Sequence, residues 1–354
     1  WSDCQLFAID TLSNNSKIVG PAILVGSQTS ILLKRGWEST LQESGIIKLK
    51  RVKTFRPKKH TQSAQIEVFN NLFMSIAEQM GFVLEKTAQS ITIKERLDFS
   101  CAIFDKNGEL IANAPHMPVH LGSMDSTVKS IINNNSNLSP GDIFAINAPY
   151  NGGTHLPDIT IVNPIWNSEK TEIIFYTAAR GHHTDIGGLT PGSMPCNSTN
   201  INQEGIYIDN WKIVSNGIFS EKAIKEKLLS GQYPARSPST NIADLKAQIA
   251  ACKKGETELL KIIDKYGVET VFRFQELVCQ NAENAVRESI LTIKSKEIEY
   301  HMDNDLSGEV RKIKIKLTPN EKDRSVEVDF NGTTMQLESN YNAPLPVTRA
   351  AVLY

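Results

Sequence analysis

The sequence predicts an α+β protein in which a small β-rich tail precedes a mixed α/β domain with a long helical hairpin. Short apolar runs separated by turn residues make up residues 1–56, as in a set of small strands. Helical periodicity of apolar residues extends over residues 66–84 and again over residues 240–293. Elsewhere the apolar residues form short continuous runs or alternate with polar residues, which is typical of strands.

The β-rich tail is predicted to contain three strands, at residues 21–25, 29–33 and 46–52. Gly36-Trp37 and Glu43-Ser44-Gly45 are interpreted as turns between them. A basic segment follows, and we place the domain boundary within it, between residues 56 and 57. This segment is either a nucleic-acid patch or a solvated linker, and its shortness favours the linker.

Two helical regions are predicted in the larger domain. The first places Ile66, Phe69, Phe73 and Met80 on one face, a pattern that indicates a core-facing helix. The second consists of two helices separated near Gly267, which we interpret as a hairpin with a structural role.

Several continuous apolar runs predict strands that are buried on both faces. They lie at residues 99–104, 143–146, 159–162 and 173–176, and the first is closed by a turn at residues 105–108. The C-terminal part alternates apolar and polar residues over residues 310–317 and 325–330, and Asn331-Gly332 supplies a turn after them.

Composition excludes several classes of protein. Lys plus Arg is 38 and Asp plus Glu is 39, so the formal net charge is 38 − 39 = −1, unlike that of a dedicated nucleic-acid binder. There is no apolar run of about eighteen residues, so no membrane partner is expected. The five cysteines are widely spaced without a CxxC pair, which disfavours a disulfide framework and favours the cytoplasm. Trp1 and the apolar run that ends at Tyr354 suggest a piece of a longer chain.

The first candidate for chemistry is the stretch that leads from Gly152-Gly153 to His155 and Asp158. An imidazole and a carboxylate three residues apart suit a divalent ion such as manganese, iron or zinc. Alone, this His-x-x-Asp spacing is common in proteins and is only weak evidence for a metal site. A second stretch, residues 180–188, follows a predicted buried strand and offers His182 or His183 as a third ligand, with Asp185 to orient a histidine. Two histidines and one carboxylate would leave coordination positions of a metal ion open for water or substrate. The alternative to a metal site is that these are solvent-exposed loop histidines.

Other residues give weaker signals. His116 and His120 have the spacing of a helical metal pair, but Pro118 between them argues against a helix. The stretch Lys94–Ser100 places charged residues next to a buried strand, either as part of an internal salt bridge or to contact a substrate or nucleotide.

A third stretch, residues 191–196, is interpreted as a rigid loop that closes over the site. Its Cys196 has no demonstrated base to make it a nucleophile. Glu204 is a candidate acid or base. P-loop and GxSxG motifs do not occur.

Four motifs resemble the hydantoinase B/oxoprolinase family. They are Ile93–Ser100, Asn113–Gly122, Gly153–Asp158 and Arg180–Gly188, the last followed by Thr190–Pro195. The resemblance extends over about residues 64–354, and residues 20–52 resemble the end of a hydantoinase A-type region. This A-then-B order in one chain is similar to that of the 5-oxoprolinases within the family.

The resemblance implies an ATP-dependent cyclic-amide hydrolase of glutathione metabolism that converts 5-oxo-L-proline to L-glutamate. ATP and Mg would bind to the A-type region, which phosphorylates the substrate, and this chain carries only the end of that region. The B-type region would complete the reaction on the phosphorylated form. Expected partners are therefore 5-oxo-L-proline or its phosphorylated form, the A-type region and a second copy in a homodimer, without nucleic acid. The alternatives are a hydantoinase or carboxylase relative, or an inactive fragment that serves as a scaffold.

The resemblance also implies site roles. A divalent metal ion is expected on His155, Asp158 and His182, with His183 as the rival of His182. The chemistry of hydrolysing an activated lactam, rather than the resemblance, gives the remaining roles, with Glu204 or Asp185 as the base. Residues expected to bind the substrate are Arg96, Arg180 and His120, with Arg96 or Arg180 holding its carboxylate bidentately.

Overall fold

The computed structural model describes residues 4–52, 61–120, 122–302 and 310–354. The chain divides into two compact units, residues 1–63 and residues 64–354. The predicted boundary between residues 56 and 57 lies outside the described residues, as does most of the basic segment interpreted as a linker.

The N-terminal unit is built from strands. They are β1 (Gln5–Ala8), β2 (Lys17–Val19), β3 (Ala22–Val25), β4 (Ser30–Leu33), β5 (Trp37–Leu41) and β6 (Ile47–Arg51). One sheet has the order β1-β3-β4 and the other β2-β5-β6. Buried Ile18, Ala22, Leu24 and Leu33 form its core. The three predicted strands are present, but Trp37 begins β5 rather than completing a turn, because the polar sequence of β5 hides its strand character.

The larger unit mixes helices and strands. Its helices are α1 (Gln62–Thr87), α2 (Ile91–Lys94), α3 (Met124–Asn134), α4 (Glu221–Leu228), α5 (Pro238–Tyr266), α6 (Val268–Ile290) and α7 (Leu345–Leu353). Its strands are β7 (Phe99–Asp105), β8 (Leu110–Asn113), β9 (Ile143–Ile146), β10 (Asp158–Trp166), β11 (Ile173–His182), β12 (Trp211–Ser215), β13 (Ile218–Phe219), β14 (Lys296–Met302), β15 (Arg311–Asn320) and β16 (Ser325–Asp329). The predicted α+β class is confirmed.

An antiparallel sheet of seven strands, in the order β13-β12-β9-β10-β11-β7-β8, organises this unit. Successive residues of a strand point to opposite faces. Ile159, Ile161 and Ala179 therefore pack in the cluster that includes α1 and α5, whereas Val162 and Ala178 pack with α3. Since helices cover both faces, the central strands are buried on both, as their continuous apolar runs predict.

The predicted helical hairpin is formed by α5 and α6. Gly267 separates the two helices with a φ of 81°, a value that residues with a Cβ rarely adopt. Phe69 of α1 stacks on Phe274 of α6 with ring centroids 4.4 Å apart. The apolar stripe of α1 is thus part of the core, as its periodicity predicts.

A smaller antiparallel sheet, β14-β15-β16, follows the hairpin. The alternating sequence predicts β15 and β16 but misses β14, whose seven residues are all exposed. Ile298, Tyr300 and Met302 of β14 nevertheless alternate with polar residues, so a period-two pattern is present there as well. Among the described residues, no helix is both long and apolar enough to cross a membrane.

Candidate metal centre

Strand pairing brings the two central candidate residues together. Strand β10 begins at Asp158 and β11 ends at His182, and the antiparallel register places these two residues directly opposite each other. Directly opposed residues on one face have Cβ atoms only about 5 Å apart. The register of one strand pair therefore joins positions that are 24 residues apart in the sequence.

A tight loop delivers His155 to the same place. Gly152 has a φ of 95°, and a Cβ there would lie 2.4 Å from the backbone nitrogen of Thr127, so the close approach to α3 requires glycine. The loop then turns back through a hydrogen bond from the Asp158 amide to the His155 carbonyl, at 3.1 Å. The Gly152-Gly153 signal in the sequence thus corresponds to a real steric demand.

The His155, Asp158 and His182 side chains form the cluster that we call the HDH cluster. Each offers one potential ligand atom, and these atoms all lie within 4.8 Å of one another. His155 Nδ1 is 3.1 Å from Asp158 Oδ2, and His182 Nδ1 is 3.1 Å from Asp158 Oδ1. Over the described ranges, this is the one such group of His, Cys, Asp and Glu side chains.

Asp158 is held from behind by two further residues. Thr154 Oγ1 donates to Asp158 Oδ2 at 2.5 Å, and His120 Nε2 lies 3.2 Å from the same oxygen. His120 Nδ1 is in turn 2.8 Å from Ser100 Oγ. Such outer partners fix the orientation of a ligand carboxylate. His120, which the sequence assigns to substrate binding, therefore lies buried behind Asp158 in this structure.

The HDH cluster opens to solvent on one side. The Asp158 side chain is 1% exposed, whereas those of His182 and His155 are 14% and 37% exposed. Burial alone would raise the pKa of Asp158, but hydrogen bonds from His120, His155 and His182 hold it well below its usual range. Burial lowers the pKa of His155, and its hydrogen bond with Asp158 outweighs this and raises the pKa overall. The cluster is thus a buried carboxylate with two imidazoles at its open side.

The structure separates the two neighbouring histidines. His182 lies on the side of the sheet that faces Asp158, whereas His183 points to α5, because adjacent residues of an extended segment face opposite ways. His183 Nε2 is 3.0 Å from Gln248 Oε1, and His183 Nδ1 is 3.2 Å from Asn241 Nδ2. Since both ring nitrogens are engaged there, His182 rather than His183 belongs to the HDH cluster.

Arg180 is fully buried and lies two residues before His182 on β11. Its Nε donates to Thr160 Oγ1 at 2.8 Å and its Nη1 to Ser123 Oγ at 2.6 Å. Its Nη2 donates to Thr127 Oγ1 at 2.7 Å and to the Gly152 carbonyl at 3.1 Å. A substrate carboxylate would have to displace these partners, so the expected role of Arg180 as a clamp does not agree with its placement.

The other predicted site residues lie outside the cluster. Arg96 is exposed; its amide donates to the Ile91 carbonyl, but among the described residues its side chain forms no hydrogen bond or ion pair. Asp185 accepts from the amides of Gly187 and Gly192 and from Arg236 Nη1, so it stabilises its own loop. Glu204 Oε1 accepts a hydrogen bond from Ser198 at 2.6 Å.

His116 and Cys196 also stand apart. His116 Nδ1 accepts from the Cys101 amide at 3.1 Å, so the His116–His120 spacing does not form a metal pair. Cys196 is exposed. In the loop interpreted as closing over the site, the Pro195 carbonyl accepts a hydrogen bond from Asn340 Nδ2.

One carboxylate at the cluster was missed by the sequence reasoning. Asp98 Oδ2 lies 3.9 Å from His182 Nδ1, and the Asp98 side chain is 29% exposed. The Asp98 carbonyl accepts from the His182 amide at 3.0 Å, because β7 is the neighbour of β11. The sequence signal for Asp98 is a carboxylate directly before a buried strand, within the stretch Lys94–Ser100 in which only Arg96 was predicted as a site residue.

The HDH cluster fits a divalent metal ion by its donor set. Two imidazoles and one carboxylate leave coordination positions open and suit manganese, iron or zinc. The outer partners of Asp158 complete the arrangement that is usual around a ligand carboxylate.

Comparison with known proteins identifies the family of this chain. Residues 62–354 match the profile described as hydantoinase B/oxoprolinase. The chain belongs to the hydantoinase B/oxoprolinase family. The resemblance predicted from the four motifs is thereby confirmed.

The chain spans half or less of the length of the following relatives. The 5-oxoprolinase 1 of Arabidopsis thaliana is 38% identical over 386 residues, which cover 100% of this chain and 30% of the plant protein. The crystal structure of the ATP-dependent caprolactamase from Pseudomonas jessenii has a TM-score of 0.73 at 23% identity, over 83% of this chain and 50% of that chain. A nucleotide-free structure of acetone carboxylase has a TM-score of 0.74 at 17% identity, over 85% and 41% of the two chains. At these identities, the two structures show a shared fold.

Proposed function

We propose that this chain is the hydrolytic part of an ATP-dependent hydrolase of the 5-oxoprolinase type, which opens 5-oxo-L-proline to L-glutamate. The observation that carries the proposal is the HDH cluster, two imidazoles and a buried carboxylate at a solvent-open strand end. The substrate class is supported by the 38% identity to a 5-oxoprolinase over the whole chain. That similarity favours this reading over a hydantoin-hydrolysing or carboxylating relative and over an inactive scaffold.

A divalent metal ion would be held by His155, Asp158 and His182. When bound, it would supply Lewis acidity at the reacting carbonyl or water. The chain itself supplies the rigid carboxylate, because Thr154 and His120 fix Asp158 from the protein interior.

Asp98 is the carboxylate we propose as general base. Glu204 is hydrogen-bonded to Ser198, and Asp185 is occupied by its loop amides and Arg236. Asp98, by contrast, borders the cluster and is partly open to solvent. In this role it takes a proton from the water that adds to the ring carbon of the activated lactam. The ring C–N bond then breaks, its nitrogen takes up a proton, and a second water releases the phosphate from the resulting acyl phosphate. We therefore propose Asp98 as the base in place of Glu204 and Asp185, because both of those carboxylates are engaged in hydrogen bonds away from the HDH cluster.

The activating step is assigned to residues outside this chain. The chain spans about 30% of the length of the 5-oxoprolinase it matches. We propose that ATP and Mg bind to the A-type region, that residues 1–56 are the end of that region, and that the two regions act on one substrate molecule. The homodimer and the cytoplasmic location stay predictions.

Metal content measured by mass spectrometry tests the site. Near-stoichiometric metal is expected in the purified parent chain and its loss in His155→Ala and Asp158→Ala. His301→Ala is the matched control, since His301 is an exposed histidine of β14 outside the HDH cluster. Metal that persists in both site variants, or that falls equally in the control, would refute the assignment.

Turnover tests the reaction. In the complete polypeptide, phosphate release from ATP is expected to depend on 5-oxo-L-proline. Asp98→Asn should keep the bound metal and lower L-glutamate formation by about 10²–10⁴-fold, the usual contribution of a general base. Glutamate formation at the parental rate in this variant would remove Asp98 from the mechanism.

A further inference from the structure

Helix α5 buries a row of polar side chains, two of which contact the strand ends of the site. Asn241, Asp244 and Gln248 follow the spacing of one helix face, and all three are at most 2% exposed. Burying polar groups costs free energy unless each finds a partner, and apolar residues at these positions would avoid that cost. The hydrogen bonds of these side chains therefore indicate why polar residues occupy these buried positions.

Gln248 binds both strands of the site. Its Nε2 donates to the Ile159 carbonyl at 2.7 Å and to the Ala179 carbonyl at 2.8 Å. Ile159 directly follows Asp158 on β10, and Ala179 lies on β11, three residues before His182. One fully buried amide thus crosslinks the two strands beside the residues that form the HDH cluster.

His183 connects Gln248 to Asn241 through its two ring nitrogens. Both Nε2 protons of Gln248 are used on carbonyls, so its Oε1 must accept, and the His183 Nε2 must carry the proton between them. His183 Nδ1 then accepts from Asn241 Nδ2, which also donates to the Asp185 carbonyl at 2.9 Å. The ring is therefore held in one tautomer and one orientation, directly after His182.

We infer that Gln248 and His183 are positioning residues, which tie the ends of β10 and β11 to α5 and so keep Asp158 and His182 at chelating distance. The inference rests on the proposed metal centre. A side chain on rigid α5 fixes the strand ends better than the loops that follow them, since a metal site tolerates displacements of only about 0.5 Å. Asn241 and Gln248 of the polar row thus serve to hold the site, whereas Asp244 accepts from the amides of Gln89 and Ser90.

The experiment compares Mn²⁺ affinity with thermal stability in the full chain. Gln248→Met keeps the side-chain length and removes all three hydrogen bonds. Thr177→Val is the matched control, because Thr177 Oγ1 also joins β11 to α5, through the Cys252 carbonyl at 3.1 Å, but five residues before His182. Both variants are expected to lower Tm. Gln248→Met alone is expected to weaken Mn²⁺ binding, by roughly 10–100-fold, measured by titration calorimetry.

A second pair of variants keeps the test decisive if Gln248→Met does not fold. His183→Leu should weaken Mn²⁺ binding as Gln248→Met does, and His183→Gln, whose amide can still donate to Gln248, should restore much of the affinity. Parental affinity in Gln248→Met or His183→Leu would overturn the inference, and so would an equal loss in Thr177→Val. Absence of Mn²⁺ binding in both the parent and Thr177→Val would overturn the metal centre itself and this inference with it.

Discussion

Replacing Arg180 by lysine distinguishes a framework role from a substrate clamp. Arg180 is fully buried, and its three nitrogens donate to Thr160, Ser123, Thr127 and the Gly152 carbonyl. Burial lowers its pKa to about 10, so it stays charged at neutral pH. Lysine keeps the charge but has a single nitrogen and cannot reproduce the fork of a guanidinium.

The expected loss of stability follows from the partners that lysine leaves behind. If two of the four acceptors lose their donor, at about 1–3 kcal/mol for each buried unsatisfied group, unfolding becomes easier by about 2–6 kcal/mol. Each kcal/mol lowers Tm by roughly 2–4 °C in a unit of this size. A clear shift in Tm is therefore expected for Arg180→Lys.

Differential scanning calorimetry and steady-state kinetics on the complete polypeptide measure the two roles separately. Arg96→Lys is the control, since Arg96 is exposed and its replacement should change stability by no more than about 0.5 kcal/mol. A raised KM for 5-oxo-L-proline in Arg96→Lys alone would support Arg96 as the carboxylate clamp. If Arg180→Lys melts at the parental Tm and raises KM, the framework role of Arg180 is wrong.

Three further predictions concern the fold around the site. Gly187→Ala should lower the free energy of unfolding by at least about 2 kcal/mol in urea titration, because φ is 94° and a Cβ would lie 2.2 Å from the Tyr233 carbonyl; an unchanged midpoint would contradict this. Phe73→Ala should cost about 3–5 kcal/mol in the same assay, since Phe73 is completely buried in the core, and a loss below about 1 kcal/mol would argue against that packing. Burial would raise the pKa of Asp142, but hydrogen bonds from Lys212 and two backbone amides lower it, so its stabilisation is present above the unfolded-state pKa and lost on acidification. Asp142→Asn should thus be less stable than the parent at pH 7, with the difference shrinking below about pH 4, and a difference that is constant with pH would refute the linkage.

The sequence by itself determined the fold class and the pieces of the site. Apolar periodicity identified α1, the α5–α6 hairpin and the buried strands, because those elements bury one or both faces. The glycine pair before His155 and the histidine pair after a buried strand marked the two loops that meet at the HDH cluster. Strand β14 was not predicted, although its Ile298, Tyr300 and Met302 alternate with polar residues as the apolar residues of β15 do.

Only the tertiary structure decided which members of those motifs act together. The register of β10 against β11 sets Asp158 opposite His182, and strand alternation turns His183 to α5. The same packing draws Arg180 inward, places His120 behind Asp158 and brings Asp98, which directly precedes β7, to the cluster. Local sequence carries no information on these choices, since each depends on hydrogen bonds between residues far apart in the chain.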